Sequence, residues 1–432
     1  MCAQRSRQLH TSSFRTRRLG AELLESRHLL SAGNVTVAVT PSGPLTGLLT
    51  ITGDASDDAV LVSGSTADAQ TFTIKGLHGT TINGVANGSV TETGVKAITT
   101  AGWGDGKDSF RFADSNATGL VGGLPLPAQL SVTMGNGNDE VDLGKTGDSW
   151  GGWGWGGNKT VTKIAGNVAV TLGNGNDEVD VKNLSVTAPQ GLLVTTLNGN
   201  DKLYAENVTV VANNTGNLTG DQGFGVMMGT GNDSVEAEKI TVNATETGGT
   251  LTGRQGFGVF MGNVARTGTG NDSFKAEKVN VTVAGTVAGL QGLGVTMDNG
   301  KDHVLVESAK VTGGQGLAVQ LGSGQDSVDL GGGDYGWGHW GGGNSSINVT
   351  GSVLVQKVAA GGSTRVELEN VTVGGSLTVD LSLDTGTDKL RVSHTTVTGT
   401  TTFTGGSGTQ DDYDPGHGNS FATPAAVTGF EQ

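Results

Sequence analysis

The chain has 432 residues, of which 76 are glycine and only 7 are proline, and its formal net charge is −15. Six Arg and two Glu give residues 1–32 a charge of +4, so the remainder carries −19 and has no basic cluster, which excludes nucleic acid as a predicted partner. The single cysteine excludes an internal disulfide and a cysteine-based zinc or redox site, and no apolar run is long enough to predict a transmembrane helix.

The N-terminal segment, residues 1–33, is predicted to hold a sorting signal in an otherwise disordered stretch. Its central sequence is Leu24-Glu25-Ser26-Arg27-His28-Leu29-Leu30-Ser31. This sequence resembles the LEPR-XLL motif near the N-termini of planctomycete surface and secreted proteins, with Ser26 where that family usually has proline. The resemblance implies export or sorting, carried by Leu24, Glu25, Arg27, Leu29, Leu30 and Ser31. A short amphipathic helix preceding the repeats is the alternative interpretation.

From Asn34 onward, short Val- and Thr-rich runs alternate with Gly, Asn and Asp, which is typical of strands joined by tight turns. The runs are irregular over residues 34–130 and regular over residues 131–412. In the regular part, eight corners of the type G-x-G-x-D end at Asp139, Asp177, Asp201, Asp233, Asp272, Asp302, Asp326 and Asp388. Successive corners are 24 residues apart, or further apart where residues are inserted, and a degenerate corner ends at Thr364.

This period predicts an all-β fold: a right-handed parallel β-helix, or β-solenoid, with about 24 residues and three short strands per coil. Apolar residues alternate along each strand and would face the interior, while glycine supplies the positive φ that the corners need. The solenoid is predicted over residues 34–412. Insertions rich in tryptophan and glycine interrupt it near residues 145–158 and 331–344, and residues 413–432 are predicted to form a flexible tail.

The corner at residues 173–179 reads GNGNDEV and is similar to the calcium-binding nonapeptide G-G-x-G-x-D-x-U-x of RTX proteins. That resemblance implies that aspartates and backbone oxygens of adjacent turns hold Ca²⁺, although this chain has one such corner per coil. Stacked carboxylates about 5 Å apart repel one another, and a cation would relieve that repulsion. The resulting hypothesis is a row of Ca²⁺ ions along Asp139, Asp177, Asp201, Asp233, Asp272, Asp302 and Asp326. In the alternative, each aspartate accepts a hydrogen bond within its own turn.

The two matched insertions concentrate aromatic residues: Trp150, Trp153, Trp155, Tyr335, Trp337 and Trp340. Exposed aromatic rings on glycine-rich loops can stack on sugars or anchor a protein partner. We therefore predict a contact site for a glycan or for a component of the cell envelope or matrix. In the alternative interpretation the loops fold back over the side of the solenoid.

The sequence favours a non-enzymatic structural or adhesive protein, secreted or at the cell surface and stabilised by calcium if the row of ions forms. The competing class is a polysaccharide-active β-helix enzyme, a lyase or glycosidase, since parallel β-helices host such sites. Those reactions need paired carboxylates, or a base with a charge-neutralising cation, in one cleft. Here the acids are spread by the period and the arginines after residue 33 are scattered, so no catalytic residue and no cofactor other than Ca²⁺ is predicted. The binding partner and the oligomeric state stay open.

Overall fold

The computed structural model describes residues 33–65, 68–113, 120, 128–144, 161–247, 251–262, 269–285, 291–332 and 345–431. Every regular element within these residues is a β-strand, and most strands pair in parallel with the strand one coil away. The structure therefore confirms an all-β, parallel solenoid architecture.

The first sheet has sixteen strands in the described part of the chain. In stacking order from its N-terminal edge they are Val85–Ala86, Thr81–Ile82, Asn34–Val39, Leu48–Thr52, Ala97–Ala101, Leu130–Thr133, Val168–Thr171, Gly191–Thr195, Gln222–Met227, Gln255–Phe260, Gln291–Thr296, Gly316–Leu321, Ser352–Lys357, Leu377–Asp380, Thr401–Thr404 and Ala426–Thr428. Each of the later coils thus contributes one strand to this face.

The second sheet begins after each corner. Its strands next to the corners are Ala59–Gly64, Ser109–Ala113, Glu140–Leu143, Glu178–Ala188, Lys202–Asn214, Ser234–Glu246, Ser273–Glu277, His303–Val306, Gly324–Leu330, Gly362–Glu369, Lys389–Ser393 and Asp412–Asp414. Its further strands are Thr162–Ile164, Val279–Ala284, Ala309–Thr312, Ile347–Val349, Val371–Val373, Thr396–Val397 and Ser420–Phe421, with Phe72–Gly76 and Ser89–Glu92 near the N-terminal end and the short corner pair Thr269–Gly270 and Asn299–Gly300. A separate two-stranded sheet pairs Leu218–Thr219 with Leu251–Thr252.

Adjacent coils pair with their corners in step. Val179 pairs with Leu203, 24 residues further along the chain. Where residues are inserted the same register resumes, so Val141 pairs with Val179, 38 residues on. Within a coil, the long strand of the second sheet changes direction at a residue with positive φ, as at Asn183 (φ 53°). The bend divides this strand into two short segments, so a coil has the three segments expected from its sequence.

The interior is a stack of aliphatic and aromatic side chains. Alternation along each strand turns every second residue inward, as in Val168–Thr171, where both valines are buried. Like residues meet across coils: the rings of Phe224 and Phe257 stack with their centroids 4.9 Å apart. Because a coil buries its apolar side chains only against its neighbours, the stability of the fold comes from stacking.

The two ends of the stack depart from the regular pattern. Near the N-terminal end, Asn34–Val39 pairs with Leu48–Thr52 in antiparallel orientation, within the region predicted to be irregular. At the other end, Ala426–Thr428 pairs in parallel with Thr401–Thr404. Residues 413–431 therefore form a further layer and not the predicted flexible tail. The reason is apolar packing against the core by Tyr413, Phe421, Ala425, Val427 and Phe430.

We expect a glycine to tolerate alanine only where the neighbouring coil leaves space, which a corner glycine does not have and a glycine on the outer face of a strand does. A Cβ at Gly175 (φ +148°) would lie 1.3 Å from the carbonyl oxygen of Gly137, whereas a Cβ at Gly294 would meet no atom within 4 Å. Gly175→Ala should lower the free energy of unfolding by roughly 2–4 kcal/mol, and Gly294→Ala by less than about 1 kcal/mol. Urea unfolding of both variants checks this, and equal effects would contradict the close stacking of corners.

Candidate functional site

The seven aspartates predicted to bind calcium form one column along the corners, and their side chains face the interior. Their exposed fractions lie between 0% and 4% for Asp139, Asp177, Asp201, Asp233, Asp272, Asp302 and Asp326. Hydrogen bonds between coils extend the column to Asp58 and Asp108 at one end and to Asp388 and Asp411 at the other. The carboxyls therefore do not splay into solvent.

Each aspartate of the column reaches back to the preceding coil. Oδ1 of Asp177 accepts a hydrogen bond from the backbone N–H of Asp139 at 2.9 Å, and Oδ1 of Asp201 accepts one from Asp177 at 2.9 Å. The same contact, at 2.8 to 3.2 Å, is made by Oδ1 of Asp108, Asp139, Asp233, Asp272, Asp302 and Asp326. The donor thus belongs to the preceding coil and not to the aspartate's own turn.

The corner asparagines join the coils in the opposite direction. Oδ1 of Asn176 accepts a hydrogen bond at 2.8 Å from the backbone N–H of Asn200, one coil later. Oδ1 of Asn174 accepts one at 2.6 Å from Nδ2 of Asn198. The two glycines leave room for the carbonyl groups of the adjacent corner. All five residue positions of a GNGND corner therefore make a contact between coils that needs no bound ion.

The other carboxyl oxygen of most column aspartates, Oδ2, is buried and accepts no hydrogen bond within the described residues. Such oxygens within the described chain include Oδ2 of Asp108, Asp139, Asp177, Asp201, Asp233, Asp272, Asp302 and Asp411. Removal from water disfavours the charged form of a carboxyl group. Burial accordingly raises the pKa of Asp139 and Asp177 to about 7 and that of Asp233 and Asp302 to about 8. These four carboxyls therefore titrate near neutral pH.

One corner contains its own cation. Nζ of Lys357 lies 2.7 Å from Oδ2 of Asp326 and 3.1 Å from Oδ1 of Asp384, and all three side chains are fully buried. The ammonium also donates a hydrogen bond to Oγ1 of Thr364 at 3.2 Å. Lys357 pairs in register with Leu321 of the preceding coil, so it occupies a position that is apolar one coil earlier.

Another corner brings three carboxyls together. Asp272, Asp298 and Asp302 are buried, and each offers an oxygen such that these atoms lie within 4.8 Å of one another. Burial first, and then the nearby charge of Asp272 and a hydrogen bond with it, raise the pKa of Asp298 to about 7. Asp298 was not predicted from the sequence. The signal was an acidic residue at the first position of the corner 298–302, which reads DNGKD where most other corners begin with glycine.

Asp58 and Asp108 were also not predicted as members of the column. The corner at residues 104–108 reads GDGKD and fits the motif, but it lies in the region whose spacing is irregular. The predicted sorting residues and the predicted contact aromatics Trp150, Trp153, Trp155, Tyr335, Trp337 and Trp340 lie outside the described residues, so their roles stay predictions.

An external groove of about 360 Å³ crosses the first sheet. Its lining includes the paired glycines Gly225, Gly258 and Gly294, which leave the outer face of the sheet open. Its charged residues are Asp221 and Arg254, whose carboxylate and guanidinium are 2.8 Å apart. The carboxylate of this groove is already held in an ion pair.

Comparisons with protein-family models, curated proteins and solved structures gave no match. Function therefore has to be inferred from the fold, the column and the groove.

We expect the stability of the metal-free protein to fall as the pH rises from about 5 to about 8.5. Asp139 and Asp177 have a folded-state pKa of about 7 where the ordinary value is 3.8, so their contribution to stability is complete below about pH 4 and is lost as the pH rises through about 7. Thermal unfolding in the presence of a chelator measures this trend. Asp177→Asn, which keeps the Oδ1 acceptor, should weaken it.

Glu178→Gln is the matched control, because Glu178 is the exposed neighbour of Asp177. It should leave the trend unchanged. Stability that is constant or that rises over this pH range in the chelated wild type would contradict burial of neutral carboxyls along the column.

Proposed function

We propose that this chain is a non-enzymatic structural or adhesive β-solenoid that acts outside the cell or at its surface. The observation that carries the proposal is the role of the periodic aspartates. Their Oδ1 atoms accept backbone hydrogen bonds across coils and their carboxyls are buried. Residues placed in this way hold coils together and do not face a substrate. A stack of this kind offers long, repetitive faces suited to a spacer or a contact surface.

The competing proposal, a polysaccharide-active enzyme, is favoured by the external groove. Glycosidases use two carboxyl groups facing each other across the scissile bond, one of them uncharged as an acid. The acids with raised pKa values in the column are buried inside the solenoid, whereas the groove contains Asp221 paired with Arg254. This arrangement suits the holding of a neutral or charged chain better than its cleavage.

The proposed location rests on the LEPR-XLL resemblance of the N-terminal segment. No helix in the described part of the chain is long and apolar enough to cross a membrane. We further propose that calcium stabilises the solenoid and that the aromatic residues of the two insertions contribute contacts to a glycan or to an envelope or matrix component. These proposals are independent of one another.

Surface labelling of the full chain, tagged at its C-terminus in its source organism, tests the proposal. We expect the tag in the medium or reactive with a membrane-impermeant label on intact cells. The double substitution Arg27→Ala and Leu29→Ala should retain the protein inside the cell, because it removes the motif that implies export. Arg7→Ala, which changes the charge outside the motif, is the matched control.

Exclusive recovery of the wild-type protein from the cell interior would overturn the surface proposal. A reducing-end assay on uronate-containing polymers separates the two function classes. We expect polymer binding without product. Product formation that Asp221→Asn abolishes would instead establish the enzyme.

A further inference from the structure

We propose that Asp272, Asp298 and Asp302 form a binding site for a single divalent cation, with calcium as the ion that suits it best. The site takes oxygens from two consecutive coils: Asp272 from one, and Asp298 and Asp302 from the next. It deepens the proposed calcium stabilisation by naming one corner in place of a row of ions along the whole column.

The carboxyl oxygens of the triad lack hydrogen-bond donors. Oδ2 of Asp272, both carboxyl oxygens of Asp298 and Oδ2 of Asp302 accept no hydrogen bond from a backbone or other side-chain donor in the described structure, and the one contact open to Asp298 is a proton shared with Asp272. The three residues are only 1% to 2% exposed. Buried carboxyls without partners are costly unless they are neutralised or bind a cation. Three of them within 4.8 Å of one another concentrate that cost at one point.

Asp298 is not needed for the stacking of adjacent corners. It lies two residues before Gly300, where other corners have glycine at Gly135, Gly173, Gly229 and Gly322. Those corners stack without an acid at this position. The preceding coil accommodates the added side chain with Gly262, where a Cβ would lie only 2.3 Å from Cβ of Asp298. Asp298 therefore adds a buried charge that the fold itself does not require.

The corner that contains Lys357 has an acid at the same position as Asp298. Asp384 lies two residues before Gly386, as Asp298 does before Gly300, and it carries the ammonium of Lys357 from the preceding coil at 3.1 Å. In the coil preceding Asp298, the residue in register with Lys357 is Met261. An acid at this corner position is thus neutralised by a buried amine in one case, whereas in the other the matching position of the preceding coil holds an uncharged methionine.

The chemistry of the site selects the ion. Carboxylate oxygens are hard ligands, and Ca²⁺ accepts six to eight of them in irregular geometry, whereas Mg²⁺ requires a near-octahedral shell and retains water. The triad provides up to four free oxygens from protein side chains. Calcium would replace the missing positive charge and would connect the two coils through their carboxyls.

Isothermal titration of the chelator-treated full chain with Ca²⁺ near pH 7.5 tests the site, with thermal unfolding as a second readout. We expect one ion per chain and a raised unfolding temperature. Asp298→Gly, which restores the common corner residue, should weaken binding by at least about tenfold and remove the thermal response. Asp298→Asn serves if the glycine variant does not fold. Asp105→Asn, at an exposed corner position, is the matched control.

Met261→Lys provides a charge-replacement test. It places an amine where Lys357 lies in the other corner, so it should abolish calcium binding while the protein stays folded without calcium. Calcium binding that Asp298→Gly leaves unchanged would overturn the site, as would the absence of calcium binding by the wild type. Surface location is measured separately, so it can hold when calcium binding fails.

Discussion

The backbone of each corner passes so close to the corners above and below that alternate positions have no space for a side chain. At Gly175 the nearest carbonyl oxygen, that of Gly137, occupies the volume a Cβ would need. After the second glycine, Asn176 accepts a hydrogen bond from the following coil and Asp177 accepts one from the preceding coil. The register of both sheets, the alternation of buried residues and the position of the aspartates inside the solenoid all follow from this spacing.

The same spacing has an electrostatic cost, because the aspartates of successive corners place their carboxyls in one column that is buried from solvent. The chain meets that cost in two ways within the described residues. Most carboxyls have pKa values raised towards neutrality by burial, as at Asp177, and one corner contains the ammonium of Lys357. The proposed cation at the Asp298 corner is a third way. An acidic column of this kind makes stability depend on pH.

The period and the G-x-G-x-D corners were sufficient to predict the parallel solenoid, including the degenerate corner at Thr364, whose N–H donates to Asp388. They could not predict that the aspartates face inward, because a turn changes the side on which a residue lies and spacing does not record that change. The member of the column after Asp388 is Asp411, 23 residues further along the chain, so the last interval is one residue short of the period. Asp298 was not predicted because it stands at a corner position where the G-x-G-x-D motif has glycine, so the motif itself gives it no role.

Hydrogen–deuterium exchange of the corner amides tests the central claim most directly, because that claim assigns each corner N–H a carboxyl acceptor one coil away. Peptides that include the N–H groups of Asp139, Asp177 and Asp201 should exchange as slowly as the strands beside them. Exchange of these corner amides at the rate of exposed loops, in a protein whose strands stay protected, would show that the carboxyls do not hold the coils together.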